Sequence, residues 1–162
     1  MNKPQPRELV IDIEYEIAAP VDDVFAFICN PENDKHWQSS FDSIKMHNPD
    51  TPLGVGTTYT IHFRFLSRKL HFDSLITGYD INKRYTYETT SGSLPFKGVF
   101  EFTPTAKGTL VKWHFAAIPG KFFGIIPKSL IKKSMEKRVW EDVEGLKRYF
   151  NEKRHIEQLA TA

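Results

Sequence analysis

Apolar and polar side chains alternate along seven segments of the chain between Leu9 and Ala117. In the first segment, residues 9–17, aliphatic or aromatic residues take every second position, and Asp12, Glu14 and Glu16 lie between them. A period of two is typical of a strand with one buried face. Turn-forming sequences such as Asn48-Pro49-Asp50 separate the segments, and the connections are too short for parallel crossovers. The pattern therefore predicts seven antiparallel strands, at residues 9–17, 41–47, 57–65, 69–79, 84–90, 96–103 and 109–117.

Helical patterns interrupt and then follow these strands. Two short helices are predicted after the first strand, one starting at Pro20 and one from Glu32 to Trp37, with Asn30 as the cap of the second. A long helix is predicted from about Pro127 to Lys153, roughly 40 Å at 1.5 Å per residue. Its apolar residues recur every three or four positions, as on one helix face: Ile131, Met135, Val139, Val143, Leu146 and Phe150.

This order of elements predicts an α+β fold in which the sheet wraps around the long helix. A curved sheet around a single helix seldom fills completely, so we expect an internal cavity. Residues 8–153 are predicted to form one domain, with flexible tails at residues 1–7 and 154–162.

Composition restricts the class of function. A net charge of +2 and the absence of an RNA-binding signature argue against nucleic acid as a partner. Cys29 is the only cysteine, which excludes an internal disulfide and fits a reducing compartment. Without a signal-peptide pattern or a run of about 20 apolar residues, the chain is predicted to be cytoplasmic. Aromatic residues make up 14% of the chain and fall mostly in the strands, which is typical either of a solid core or of a ligand cavity.

Several local strings resemble the START-like, or SRPBCC, superfamily, in particular its polyketide cyclase/dehydrase-like branch. They are IDIEYEIAAPVDDVFAFICNPENDKHW, LGVGTTYTIHF, GYDINKRYTYETTSG, GTLVKWHF and EGLKRYFNE. The resemblance covers about residues 9 to 153 and implies a helix-grip fold. Members of this superfamily include lipid carriers, plant hormone receptors and aromatic polyketide cyclases. The matching motifs are helix caps, turns and core aromatics, so they indicate the fold rather than an activity.

The predicted cavity holds a hydrophobic or amphipathic small molecule between the sheet and the long helix. Tyrosine and tryptophan would supply its few polar contacts. The residues predicted to line it are Phe27, Trp37, Tyr59, Ile61, Phe63, Phe72, Tyr85, Tyr87, Phe100, Trp113, Phe122, Met135 and Val139. The loop at residues 119–124 and the short helices are predicted to frame its entrance, and the pocket is expected to span about 300–1,000 Å³.

Candidate catalytic and metal-binding groups all fall on the opposite face of the strands. His62 and His71 would lie opposite each other across a Leu66-Ser67 turn, with Asp73 next in line, but their alternation places them in solvent. Glu88 and Glu101 also alternate with inward-facing aromatics. We therefore predict no catalytic residue, no bound metal and no cofactor.

The start of the long helix carries Lys128, Lys132, Lys133, Lys137 and Arg138, next to the apolar loop at residues 122–126. Such a patch can touch an anionic membrane while a lipid is delivered. The preferred interpretation is a solvated basic face.

Two other functions remain open. A polyketide cyclase or dehydratase would use the same cavity but needs an inward-facing titratable pair, which the alternation pattern does not supply. A co-chaperone-like interaction module would need an apolar outer face, whereas Thr58, Thr60, His62 and Arg64 make one strand's outer face polar.

Overall fold

The alternating segments form a single curved sheet in the computed structural model, which describes residues 8–120 and 123–162. The strands are β1 (Leu9–Ile17), β2 (Phe41–Met46), β3 (Thr58–Phe65), β4 (Arg68–Asp80), β5 (Arg84–Gly92), β6 (Phe96–Thr105) and β7 (Gly108–Ala117). Helix α1 (Val21–Ile28) and a 3₁₀ helix (Pro31–His36) separate β1 from β2, and helix α2 (Lys128–Ala160) follows β7. The predicted fold class, with seven antiparallel strands, two short helices and a long C-terminal helix, is confirmed.

The strands pair in the order β1-β7-β6-β5-β4-β3-β2, so that β1 and β2 are the edges. Tight turns set the register of neighbouring strands. Between β3 and β4, Leu66 and Ser67 both have left-handed backbone angles, with φ of 48° and 61°, as a two-residue hairpin turn requires. The turn places His62 opposite His71, as predicted from the sequence. Between β6 and β7, Phe100 pairs with Trp113 and Glu101 with Lys112, which confirms the predicted inward and outward faces.

Helix α2 packs the predicted apolar stripe into the concave side of the sheet. Ile131, Val139, Val143, Leu146 and Phe150 are buried, with Val143 and Leu146 fully so. Met135 is only half-buried. No described helix combines the length and the apolar character needed to cross a bilayer.

The end of α2 differs from the prediction. The helix continues past Lys153 to Ala160, and its side chains from residue 151 onward are exposed. No glycine or proline interrupts this segment, so nothing in its sequence ends the helix. The flexibility of residues 154–162 stays a prediction, and residues 1–7 lie outside the described part of the chain.

Candidate functional site

An internal cavity of about 130 Å³ lies between the concave face of the sheet and α2. It is smaller than the range of about 300–1,000 Å³ typical of drug-sized pockets. Aromatic rings from four strands, including Phe65, Phe96 and Phe115, occupy much of the space that the curved sheet encloses. The remaining volume suits a compact ligand.

Ten of the thirteen residues predicted to line the cavity do so. They are Trp37, Tyr59, Ile61, Phe63, Tyr85, Tyr87, Phe100, Trp113, Met135 and Val139. Their role in binding a ligand stays a prediction.

Two predicted lining residues lie elsewhere in the core. Phe27 stacks on Tyr149 of α2 with ring centroids 4.1 Å apart, because α1 turns this side chain towards the C-terminal half of that helix. Phe72 is fully buried against Phe63 and Phe96, which line the cavity in its place. Phe122 lies outside the described residues, as does part of the loop predicted to frame the entrance.

One wall of the cavity is an aromatic cluster whose polar atoms are already paired. The indole N–H of Trp113 donates to the hydroxyl of Tyr87 over 3.1 Å, and its ring stacks on Phe100 at 4.9 Å. The Tyr87 ring lies directly over Gly98, where any Cβ atom would overlap it. A glycine is therefore required at this position for the tyrosine to keep its place.

The wall next to α2 is polar and is formed by Asp34, Trp37, Arg138 and Asp142, which we call the polar cluster. The 3₁₀ helix and the residue after it supply the first two, and α2 supplies the other two. Asp142 joins the two elements, because its Oδ1 accepts a hydrogen bond of 2.7 Å from the backbone N–H of Ser39. Gly145 allows the close approach, since a Cβ there would lie 2.9 Å from the carbonyl oxygen of Trp37.

Arg138 and Asp142 form a loose ion pair within the polar cluster. The Arg138 Nε lies 3.9 Å from Oδ2 of Asp142, and their side chains are 16% and 5% exposed. The guanidinium also lies 4.6 Å from the centre of the Phe63 ring, a favourable cation–π contact. Burial lowers the pKa of Arg138, and the charge of Asp142 opposes that shift.

Burial favours the neutral form of the Asp34 carboxyl. Burial raises its pKa well above the ordinary value for an aspartate, and the negative charge of Asp142 adds to the rise. The nearby Trp37 indole opposes the rise, although its N–H does not reach hydrogen-bond geometry. Burial also raises the pKa of Asp142, against the hydrogen bond from Ser39. The cavity thus contains a carboxyl group suited to donate a proton.

Within residues 8–120 and 123–162, three buried polar atoms at the cavity have no hydrogen-bond partner: Nε1 of Trp37, Oγ of Ser74 and Nε of Arg138. Most buried polar groups in folded proteins are paired, so each unpaired one calls for an explanation. Their position around an internal space indicates a ligand or ordered solvent as the partner.

Two predictions from the sequence about the residues of the polar cluster are wrong. Arg138 is part of the predicted solvated basic face of the long helix, but it lies inside. An inward-facing titratable pair is not expected from the alternation, whereas Asp34 and Asp142 both line the cavity. The helical spacing could have indicated this position. Arg138 and Asp142 follow Met135 at steps of three and four, which places them on the same inward face of the helix as the apolar stripe.

The sequence of the chain matches a family profile described as polyketide cyclase / dehydrase and lipid transport over residues 9–151. The match covers nearly all of the strands and most of α2. The chain belongs to this family. No curated protein sequence matches the chain.

Several solved structures have the same fold as this chain. TTHA0849 from Thermus thermophilus is 19% identical, with a TM-score of 0.72, covering 89% of this chain and 97% of that one. A START superfamily protein from Mycobacterium smegmatis is 11% identical, with a TM-score of 0.71 and coverage of 90% and 97%. The di-domain aromatase/cyclase StfQ of the steffimycin biosynthetic pathway is 12% identical, with a TM-score of 0.73, covering 91% of this chain and 52% of that one. At these identities the likeness establishes a START-like helix-grip fold.

The outer face of the sheet in this family member is polar. His62 and His71 stack with ring centroids 6.1 Å apart, and Asp73 accepts hydrogen bonds of 2.6 Å from both Thr60 and Ser91. Within residues 8–120 and 123–162, no cluster of three or more His, Cys, Asp or Glu side chains could hold a metal ion. Glu88 and Glu101 are exposed, as their alternation predicted.

Proposed function

We propose that the protein binds a compact, largely apolar small molecule in the cavity between the sheet and α2. The observation that carries this proposal is the composition of the cavity wall, which is mostly aromatic and aliphatic with a few polar groups gathered in the polar cluster. Ligand sites typically combine an apolar lining with a small number of placed polar groups. Family membership supports the proposal at the general level, because cyclisation, dehydration and lipid transport all involve hydrophobic molecules.

The size of the cavity limits the ligand. At about 10–15 Å³ for each water-sized group, 130 Å³ holds on the order of ten non-hydrogen atoms. A single-ring aromatic compound fits this limit, whereas a long-chain lipid requires the aromatic walls to move.

A cavity-filling variant tests the proposal. Val139 lines the cavity and is 7% exposed, so Val139→Phe should occupy a large part of it and weaken the binding of single-ring aromatics such as toluene and indole. Val55→Phe adds the same volume at a site that is 69% exposed and should bind like the wild type. Calorimetric titration measures the affinity, and circular dichroism checks that both variants fold.

Ligand binding should also raise thermal stability. At a ligand concentration 100-fold above Kd, the free energy of unfolding should increase by about 2.7 kcal/mol. If no single-ring aromatic shifts the melting temperature and native mass spectrometry detects no co-purified molecule, the proposal is wrong.

An enzymatic role is the second candidate, and Asp34 is the observation that favours it. A neutral carboxyl inside a ligand cavity can serve as a general acid that protonates a leaving hydroxyl. Under this proposal the protein dehydrates a compact β-hydroxy ketone. Asp34 protonates the leaving hydroxyl as the C–O bond breaks, and the carboxylate of Asp142, which lines the same cavity, takes the α-proton, so that the C=C bond forms and water leaves. Mass spectrometry should detect the loss of one water with the wild type and none with Asp34→Asn, while Asp34→Asn retains binding. An unchanged substrate after prolonged incubation with the wild type would leave binding as the function.

A further inference from the structure

Two of the unpaired polar atoms at the cavity belong to groups that can only donate hydrogen bonds. The indole of Trp37 and the guanidinium of Arg138 carry N–H donors and no acceptor. Trp37 as a whole is 6% exposed, and neither its Nε1 nor the Nε of Arg138 has a hydrogen-bond partner among the described residues. Whatever fills the cavity beside them must therefore present an acceptor.

The two donors flank the same part of the cavity. Asp142 lies one helical turn after Arg138 and is tied to the backbone N–H of Ser39, two residues after Trp37. One turn further, Gly145 contacts the backbone of Trp37 itself. The 3₁₀ helix and α2 are thus held together where Trp37 and Arg138 line the same wall of the cavity.

The charges around the donors select the kind of acceptor. The positive charge of Arg138 is already balanced by Asp142, 3.9 Å away, and the charge of Asp142 also acts on the Asp34 carboxyl. A ligand carboxylate would bring another negative charge next to two carboxyl groups in a poorly hydrated space, which is unfavourable. A ligand ammonium group would meet the indole N–H of Trp37 and the guanidinium of Arg138, neither of which can accept a hydrogen bond. A neutral carbonyl oxygen has two lone pairs and adds no charge, so it can accept from both N–H groups.

The state of Asp34 supports the same choice. Because burial raises the pKa of this carboxyl, its protonated form is favoured, and that form adds an O–H donor to the two N–H groups while keeping its own carbonyl acceptor. A ligand carbonyl can accept hydrogen bonds from such donors and has no proton of its own to place.

We propose that the polar cluster binds the carbonyl oxygen of a compact aromatic ketone, with Trp37 and Arg138 as the donors. This inference rests on the proposed function, and it names the ligand group that the polar cluster recognises. The aromatic part of the ketone lies against Phe63, Phe100 and Trp113, which line the same cavity.

A pair of isosteric probes tests the inference in the wild-type protein. Acetophenone and α-methylstyrene have the same shape, but the carbonyl oxygen of the first is a CH₂ group in the second. Two additional hydrogen bonds should make acetophenone bind about tenfold more tightly than α-methylstyrene in calorimetric titrations. Benzoate, of similar size but negatively charged, should bind more weakly than acetophenone.

A matched pair of tryptophan variants tests which indole N–H is responsible for the preference for acetophenone. Trp37→Phe keeps an aromatic ring and removes the unpaired N–H, so it should lower the preference for acetophenone to about threefold. Trp113→Phe removes an N–H that already has Tyr87 as its partner, so the preference for acetophenone should stay at the wild-type value. Arg138→Met should lower the preference in the same way as Trp37→Phe.

The outcomes separate the inference from the proposed function. Equal binding of the two isosteres by the wild type overturns the carbonyl inference and leaves ligand binding intact. Tighter binding of benzoate than of acetophenone also overturns it, in favour of an anion site. If neither isostere binds, both the inference and the proposed function fail. If Trp37→Phe and Trp113→Phe reduce the preference for acetophenone over α-methylstyrene equally, the polar cluster is not the site that binds the carbonyl oxygen.

Discussion

Replacing Gly98 by alanine should disturb the aromatic wall of the cavity through a single added methyl group. Gly98 in β6 is the cross-strand partner of Tyr87 in β5, and the tyrosine ring lies over the glycine. A Cβ at position 98 would overlap the ring, so Tyr87 has to move. Its hydroxyl then loses the hydrogen bond of 3.1 Å from Trp113.

The expected cost follows from three contributions. Displacing a packed side chain costs about 1–3 kcal/mol, and the lost hydrogen bond costs about 0.5–1.5 kcal/mol. Replacing glycine by alanine in a strand also stabilises the folded state by about 0.5–1 kcal/mol, because alanine loses less backbone entropy on folding. The net destabilisation should be roughly 2 kcal/mol.

Urea unfolding followed by tryptophan fluorescence measures this change, and a double-mutant cycle assigns it. In a Tyr87→Ala background the overlap is absent, so Gly98→Ala should be neutral or slightly stabilising, which gives a coupling energy of roughly 3 kcal/mol. Gly54→Ala is the control, because a Cβ there meets nothing within 4 Å. A Gly98→Ala protein as stable as the wild type would refute the reasoning.

Three further predictions concern the polar cluster and the core. Because burial raises the pKa of Asp34 beside Asp142, the folded protein holds a proton that the unfolded chain releases above about pH 4, and stability falls as the pH rises from there. Asp34→Asn should therefore be more stable than the wild type in urea at pH 7 and equal to it near pH 3; the same difference at both values would contradict this. Leu146→Ala removes a fully buried side chain and should cost about 2–5 kcal/mol in urea unfolding, whereas Leu159→Ala, at a site 64% exposed, should change stability little. Gly145→Ala should lower the melting temperature despite alanine's higher helix propensity, because its Cβ would lie 2.9 Å from the Trp37 carbonyl oxygen; a raised melting temperature would show that α2 can shift freely.

The sheet could be predicted from the sequence because its signals are local and repeated. The alternation in β3 and β4, together with the Leu66-Ser67 turn, was enough to place His62 opposite His71. The same reasoning placed Phe100 against Trp113 inside the fold. Where a period of two coincides with short turns, the register follows from the positions of the turns.

The polar cluster could not be predicted in the same way, because it depends on contacts between elements distant in the chain. Asp34 lies in a six-residue 3₁₀ helix, too short for its periodicity to say which side faces the core. For Arg138 and Asp142 the sequence favours the surface, because charged side chains are seldom buried without a partner. Their partners, the backbone of Ser39 and the ring of Phe63, come from other elements.

The central claim is that the cavity accepts a compact ligand, and methyl-resolved NMR titration with acetophenone tests it most directly. The account predicts saturable chemical-shift changes confined to methyl groups that line the cavity, namely those of Ile28, Ile61, Leu70, Leu94, Met135 and Val139. The methyl groups of Leu159, which is exposed at the far end of α2, should not shift. Shifts centred on surface methyls, or none at the solubility limit of the probe, would contradict the account.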